Sequence, residues 1–373
     1  MKRFALAATA MAAIAVLTLT GCSGGDRAGT AASGDAAAAG FAADAKIGVA
    51  LPDKTSENWV LAGGLFEDGL KEAGFSADVQ YAPATNTVAE QQNQISSMIT
   101  NGAKVIVIGA KDGKQLGTQL QQAADAGVKI IAYDRLIENT PNVDYYVAFD
   151  NFKVGELQGQ ALLDGLEARS GHGAPWNIEL FSGSPDDANS AVFFDGAMNV
   201  LQPKIDDGTL KVVSGQTDIQ QTATQGWEAE NAQSRMDSLL AANYTSETID
   251  GALSPNDTLA RAIITSVKQA GKDISKFTVT GQDSEAESVK SIMAGEQYST
   301  INKDTSLLVA QTITMIKSLQ AGEEPEVNDT EQYDNGVKVV PAYLLPPVIV
   351  TKENAAEAYK NNPNLLDIVN AAG

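Results

Sequence analysis

Short apolar runs alternate with longer amphipathic stretches along most of this chain. Ile47 to Leu51, Ala77 to Tyr81, Val105 to Ile108 and Lys129 to Tyr133 read as strands. The stretches between them, up to Gly74 and over 88–101 and 115–126, carry helical periodicity. The strand runs are continuously apolar, which indicates strands buried on both faces of a parallel sheet covered by helices. Right-handed crossovers then build an open, doubly wound α/β domain.

The same rhythm restarts after Asn151. Strands are expected at 177–182, 210–215, 249–253 and 276–281, and helices at 188–201, 228–242 and 257–270. Two similar α/β halves imply two lobes. The tail differs: Asp304 to Gln320 reads as a helix, and Lys338 to Val350, with its prolines, as an extended crossover. The expected division is 46–151 plus 304–335 for the first lobe and 152–303 plus 336–373 for the second.

The first segment reads as an address. Lys2 and Arg3 precede an apolar run of 16 residues, Phe4 to Leu19, short of the ~20 needed to span a bilayer. Leu19-Thr20-Gly21-Cys22 follows and resembles a bacterial lipobox. Residues 1–21 are thus read as a lipoprotein signal peptide and Cys22 as the lipid attachment site; a plain secretory signal beside a chance cysteine is the alternative. Of the 23 residues from Ser23 to Ala45, 17 are Gly, Ala or Ser, so 22–45 is expected to be a flexible linker. The body would then be extracytoplasmic and tethered.

Composition narrows the chemistry. With 26 Lys and Arg against 47 Asp and Glu the net charge is -21, which lacks the basic footprint of a nucleic-acid binder. A hydrophobic share of 43% supports a packed core. One histidine, His172, and one cysteine remove most zinc sites, disulfide frameworks and Ser/His or Cys/His catalysis. No 12-residue calcium loop and no Gly-rich phosphate loop is present, so neither metal nor cofactor is expected. His172 lies in Ser170-Gly-His-Gly173, an expected exposed loop.

In open α/β sheets ligands sit beyond the carboxyl ends of the strands. The strand exits carry Asn58-Trp59, Asp134-Arg135, Asp150-Asn151, Asp186-Asp187-Ala-Asn189, Asn256-Asp257, Gln282-Asp283 and Asn302-Lys303, with Trp227 a turn beyond its strand. Carboxylates accept, Arg and Lys donate, and Asn does both, a mixture suited to sugar hydroxyls. Two tryptophans suit the C–H faces of a pyranose. Each residue also has a plainer role. Asp186 and Asp257 have the look of helix caps, Asp150 and Asn151 of braces at the crossover, and the tryptophans of core.

Tyr-Asp-Arg-Leu (133–136), Phe-Asp-Asn (149–151), Gly-Ser-Pro-Asp-Asp (183–187), Asp-Gly-Ala-Met (195–198), Ser-Pro-Asn-Asp (254–257), Gly-Gln-Asp (281–283) and Gly-Glu-Gln-Tyr-Ser-Thr (295–300) follow one another in order. In this they resemble the periplasmic sugar-binding proteins of ABC importers, of the D-xylose-binding and multiple-sugar-binding type, over about 46–360. The resemblance implies two Rossmann-like lobes joined by three crossovers with a monosaccharide in the cleft. It assigns Arg135, Asp187 and Asn189 to ring and hydroxyl oxygens and Trp59 and Trp227 to the sugar faces. Asn256, Asp283 and Lys303 complete the polar ring from the second lobe. The family places Arg before the first-strand tryptophan; Asn58 stands there instead and removes a charged donor.

The implied protein is a monomer that delivers its sugar to an ABC permease and is not an enzyme. A sensor presenting the liganded form to a chemoreceptor or histidine kinase is the alternative. A sugar-acting enzyme would need Asp187 and Asp283 as its carboxylate pair. A regulator with a related core is disfavoured by the lipobox, the acidity and the absence of an N-terminal DNA-binding helix pair.

Overall fold

The computed structural model of the chain describes residues 40–54, 56–83 and 88–372. The expected signal peptide, Cys22 and the linker up to residue 39 lie outside the described residues.

The first lobe opens with β1 (Lys46–Leu51), α1 (Glu57–Glu72), β2 (Ser76–Tyr81), α2 (Val88–Thr100), β3 (Val105–Ile108), α3 (Gly117–Asp125), β4 (Lys129–Tyr133) and β5 (Tyr145–Phe149). The chain then crosses into α4 (Asn151–Arg169), β6 (Trp176–Leu180), α5 (Asn189–Asp206), β7 (Leu210–Val212), α6 (Ile219–Thr222) and α7 (Ala229–Asn243). The second lobe continues with β8 (Gly251–Leu253), α8 (Asp257–Gln269), β9 (Thr278–Val279), α9 (Ala286–Met293) and β10 (Ser299–Asn302). A second crossing brings α10 (Thr305–Ala321) and β11 (Ala342–Leu345) back to the first lobe. A third leads to β12 (Val348–Thr351), α11 (Ala355–Ala358) and α12 (Pro363–Ala372).

Both main sheets are parallel, in the orders β11-β5-β4-β3-β1-β2 and β7-β6-β8-β9. Successive strand residues face opposite ways, so a strand buried on both sides feeds two cores. Val105, Val107, Ile131 and Tyr133 pack with α1 and α10 through Phe66, Leu70, Val309 and Ile316. Ile106, Ile108, Ile130 and Ala132 pack with α2 and α3 through Ile95, Met98 and Leu120. The second sheet divides likewise, with Phe181, Ala252 and Val279 on one side and Ile178, Leu180 and Leu253 on the other. The expected strands at 210–215, 249–253 and 276–281 are shorter here. Ile274 to Lys276, for example, coils into a 3-10 turn before β9.

Glycines set the closest helix contact. A Cβ on Gly155 of α4 would stand 2.0 Å from the Phe193 carbonyl oxygen of α5. One on Gly196 of α5 would stand 2.1 Å from that of Phe152. Only residues without a side chain let these backbones meet.

Two expected boundaries need correction. β11 pairs in parallel with β5, Ala342 opposite Tyr146, so 342–345 belong to the first lobe and the last crossing falls after Leu345. The 336–373 segment was expected wholly in the second lobe; its apolar run supplies an edge strand before it crosses. The linker expected to reach Ala45 is already docked at its end. Phe41 donates its amide to the Gln320 carbonyl at 3.2 Å and packs against Phe75 with ring centroids 6.4 Å apart.

His172 is exposed, as its loop suggested, yet it is not idle. Its Nδ1 is 2.8 Å from the Gly173 carbonyl and its Nε2 is 3.0 Å from Asp250 Oδ1. Only the imidazolium donates from both nitrogens, and these two acceptors raise its pKa above 6.5. The stability this adds is fully present below the ordinary histidine pKa and lost as pH rises through the raised one. The single histidine signal in a proton NMR titration should move at a pH above 6.5, and Asp250→Asn should bring it down; an unchanged midpoint would exclude the pair.

Candidate functional site

Because the strands of each sheet run parallel, their carboxyl ends share one edge, and the two edges face each other across a cleft. A cavity of about 490 Å³ lies there, and all nine sequence-derived candidates line it: Asn58, Trp59, Arg135, Asp187, Asn189, Trp227, Asn256, Asp283 and Lys303.

Arg135 follows β4. Its Nη1 donates to the Ala110 carbonyl at 3.2 Å, and its Nε lies 3.2 Å from Asp187 Oδ2. Arg135 belongs to the first lobe and Asp187 to the second, and both side chains are largely buried. The guanidinium also stands 5.5 Å from the centre of the Trp59 ring, within cation–π range. Asp187 Oδ1 accepts from the Asn189 amide at 3.0 Å. Asn189 Nδ2 donates across the cleft to the Asp134 carbonyl at 2.8 Å, and Tyr146 donates to the same oxygen at 2.6 Å.

A second cation sits in the other lobe. Lys303, past the end of β10, has Nζ 3.0 Å from Asp283 Oδ1 and 5.5 Å from the Phe193 ring centre. Burial alone would lower its pKa; Asp283, Asp134 and Asp187 outweigh this and raise it. Burial raises the Asp134 carboxyl against the pull of Lys303. A third cation, Lys111, pairs with Asp53 at 3.1 Å.

The aromatic walls come from different lobes. Trp59, in the first turn of α1, packs on Tyr133 with centroids 6.1 Å apart. Gly109 leaves room for it, since a Cβ there would stand 2.9 Å from the ring. Trp227 covers Gly183, where a Cβ would stand 2.2 Å from Cη2. Both rings therefore serve core and cavity at once.

Backbone strain gathers here. Five described non-glycine residues have positive φ, and three of them, Asp134 (62°), Trp227 (57°) and Asp283 (94°), line the cavity, with Ser284 (53°) beside the last. Such conformations persist only where the surroundings enforce them.

The chain matches the family model for the periplasmic binding protein domain over residues 47–324. It belongs to the periplasmic binding protein family. It is 51% identical to the multiple sugar-binding periplasmic receptor ChvE of Rhizobium radiobacter, over 84% of this chain and 89% of that one. It is 35% identical to the D-xylose-binding periplasmic protein of Escherichia coli, over 85% of this chain and 89% of that one. Among solved structures, an ABC transporter solute-binding protein from Clostridium phytofermentans with bound β-D-glucose superposes with a TM-score of 0.80 at 39% identity. That match covers 86% of this chain and 99% of the other. One from Chloroflexus aurantiacus in complex with D-glucose gives 0.76 at 34%, covering 85% and 96%. The two parallel-sheet lobes and three crossings are the type I architecture of this family.

Several roles expected from sequence change. Asp186 does not cap α5, which starts at Asn189 without a side-chain cap; it lines the cavity instead. Asp257 is no cap either. Asn256 caps α8, accepting from the Leu259 amide at 2.9 Å. Asp257 is buried and accepts from the Glu285 amide, Gln297 Nε2 and Thr300 Oγ1 at 2.8–2.9 Å. Burial, reinforced by Glu285 and Asp283, raises its pKa. Asp150 does cap α4, accepting from the Lys153 amide at 3.0 Å.

Lys111, which follows β3 and lines the cavity, is missing from the strand exits read from the sequence, although the same rule reaches it. Phe193, Thr305 and Leu308 also line the cavity. They stand on helices, where only the approach of the two lobes decides which face meets the cleft. Among the described residues no group of three His, Cys, Asp or Glu side chains is arranged to hold a metal ion.

Asp134→Asn removes a carboxylate whose ionised form burial disfavours. A group with a raised folded-state pKa favours folding more as pH falls from that pKa toward its ordinary value. The variant should therefore be at least as stable as the parent at neutral pH, and should gain less on mild acidification. Denaturant titrations of both proteins at two pH values test this; an equal gain would refute the assignment to Asp134.

Proposed function

We propose that this chain is an extracytoplasmic solute-binding protein, anchored through Cys22, that captures a monosaccharide by hinge closure. Its partner is then an ABC transporter permease that takes up the liganded form. The observation that carries the reading is one cavity lined from both lobes by charged donors, carboxylates, amides and two tryptophans. Hydroxyl groups act as donor and acceptor together, so such a wall satisfies a ring of them, while the indoles cover the ring's apolar faces.

Glucose in the two solved relatives and xylose in a relative's name support an aldose such as glucose, xylose or galactose. The proposed roles are those of the resemblance: Arg135, Asp187, Asn189, Asn256, Asp283 and Lys303 to oxygens, and Trp59 and Trp227 to the faces. The protein binds and releases without turnover. A ligand touching both lobes favours the closed form because only that form offers all its contacts.

The three cations lining the cavity each stand beside a carboxylate. A neutral ligand therefore fits better than a sugar acid, whose charge would meet carboxylates already present.

A saturating cognate monosaccharide should stabilise the folded chain by ~3–4 kcal/mol in a thermal-shift panel of aldoses, polyols and an amino acid. The matching uronic acid should shift it far less. Arg135→Ala and Asp283→Ala should each weaken binding by about 100-fold by calorimetry, with circular dichroism unchanged. A flat panel, or unaltered affinity in both variants, would overturn the reading.

A further inference from the structure

Asn58 stands where the resembling family carries Arg, and its amide has a protein partner. It lies in the first turn of α1, on the first lobe, and its Nδ2 donates to the Asp283 carbonyl of the second lobe at 3.2 Å. Beside it, Glu57 Oε2 accepts from the Ala286 amide at 3.4 Å. Ala286 is the first residue of α9, where amides lack intrahelical acceptors and the helix dipole favours negative charge.

The second lobe holds these two backbone groups in place on its own. The Asp283 amide donates to the Ile301 carbonyl at 2.9 Å, and the Ser284 amide to Thr300 Oγ1 at 3.2 Å. Tyr359 donates to Ser284 Oγ at 2.8 Å. The left-handed pair Asp283–Ser284 is thus fixed from behind, with its carbonyl turned to α1. Two neighbouring side chains of one lobe meet two nearby backbone groups of the other at the cleft, and neither bond involves a ligand atom.

We propose that Glu57 and Asn58 form a lobe-to-lobe clasp that sets affinity and residence time through closure, and that Asn58 is a positioning residue and does not read a sugar hydroxyl. The inference rests on the sugar-binding function proposed above. A clasp made only in the closed form favours that form whichever ligand is inside. The apparent dissociation constant varies inversely with the binding-competent fraction. Loss of the clasp then weakens every ligand by one common factor. A donor that read a hydroxyl would act only on ligands carrying it.

The test uses Asn58→Ala and Glu57→Ala in the full chain, with circular dichroism and melting to establish folding. Affinity and dissociation rate are measured for the best-binding monosaccharide and for its singly deoxygenated and epimeric analogues. Spin labels on the outer faces of the lobes report the lobe separation with and without ligand. Both variants should weaken every ligand by the same factor, about 2- to 10-fold per hydrogen bond lost, mainly through faster dissociation. Their ligand-free separations should shift toward open forms. An Asn58→Ala effect that vanishes for one deoxy analogue would assign Asn58 to that hydroxyl and overturn the clasp. Unchanged affinities, or unchanged lobe separations, would also overturn it. Failure of the parent protein to bind any sugar would sink the functional reading alone, because the lobe separations still decide whether the clasp exists.

Discussion

The ion pair between Arg135 and Asp187 joins side chains from different lobes, and the cleft is organised around it. A largely buried guanidinium or carboxylate is costly without a partner. Arg135 has the Ala110 carbonyl within its own lobe, and Asp187 has the Asn189 amide within its own. Their direct ion pair forms only across the cleft, although Asp134 stands beside Arg135 in the first lobe and Lys303 acts on Asp187 within the second. The same approach seats Asn189 on the Asp134 carbonyl. The geometry of one lobe's strand exits is therefore complete only in the presence of the other's.

Strain is distributed accordingly. Asp134, Trp227 and Asp283 hold left-handed backbones at the cavity wall. The Asp134 amide donates to the Val147 carbonyl while its own carbonyl takes bonds from Tyr146 and Asn189. The Asp283 amide donates to the Ile301 carbonyl of β10. The cores on either face of each sheet supply the stability against which such conformations are held.

Much of this was legible from residue order alone. Parallel strands buried on both faces read as unbroken apolar runs, and the strand-exit rule gathered a wider set of polar residues, of which Asp150, Asn151, Asp257, Gln282 and Asn302 stay off the cavity wall; the resemblance narrowed that set to nine that line it. What stayed hidden had physical reasons. Asp257 and Asn256 are adjacent at a helix start, and sequence does not say which one caps and which turns inward toward Gln297 and Thr300. The edge strand at 342–345 is followed by prolines at 346 and 347 and looked like plain crossover chain. Its pairing with β5 depends on a partner nearly two hundred residues earlier. Phe193, Thr305 and Leu308 reach the cavity from helices, where pattern marks a buried face without saying what buries it.

The carboxylates of the cleft explain why a ligand and closure should be coupled on the proposed reading. Bringing the lobes together places Asp187 beside Arg135, which is favourable. It also brings Asp187 toward Asp134, and that repulsion adds to the burial that raises the Asp134 pKa. Lys303 offsets part of this, but it is also engaged with Asp283. The Asp134 carboxyl thus keeps a raised pKa even with Lys303 beside it. Sugar hydroxyls are neutral donors that fit between such groups without adding charge. A ligand bearing several of them would relieve Asp134, meet amides on both lobes and displace water from two indole faces at once. These gains belong to the closed form, so the free energy of binding and the free energy of closure draw on the same contacts.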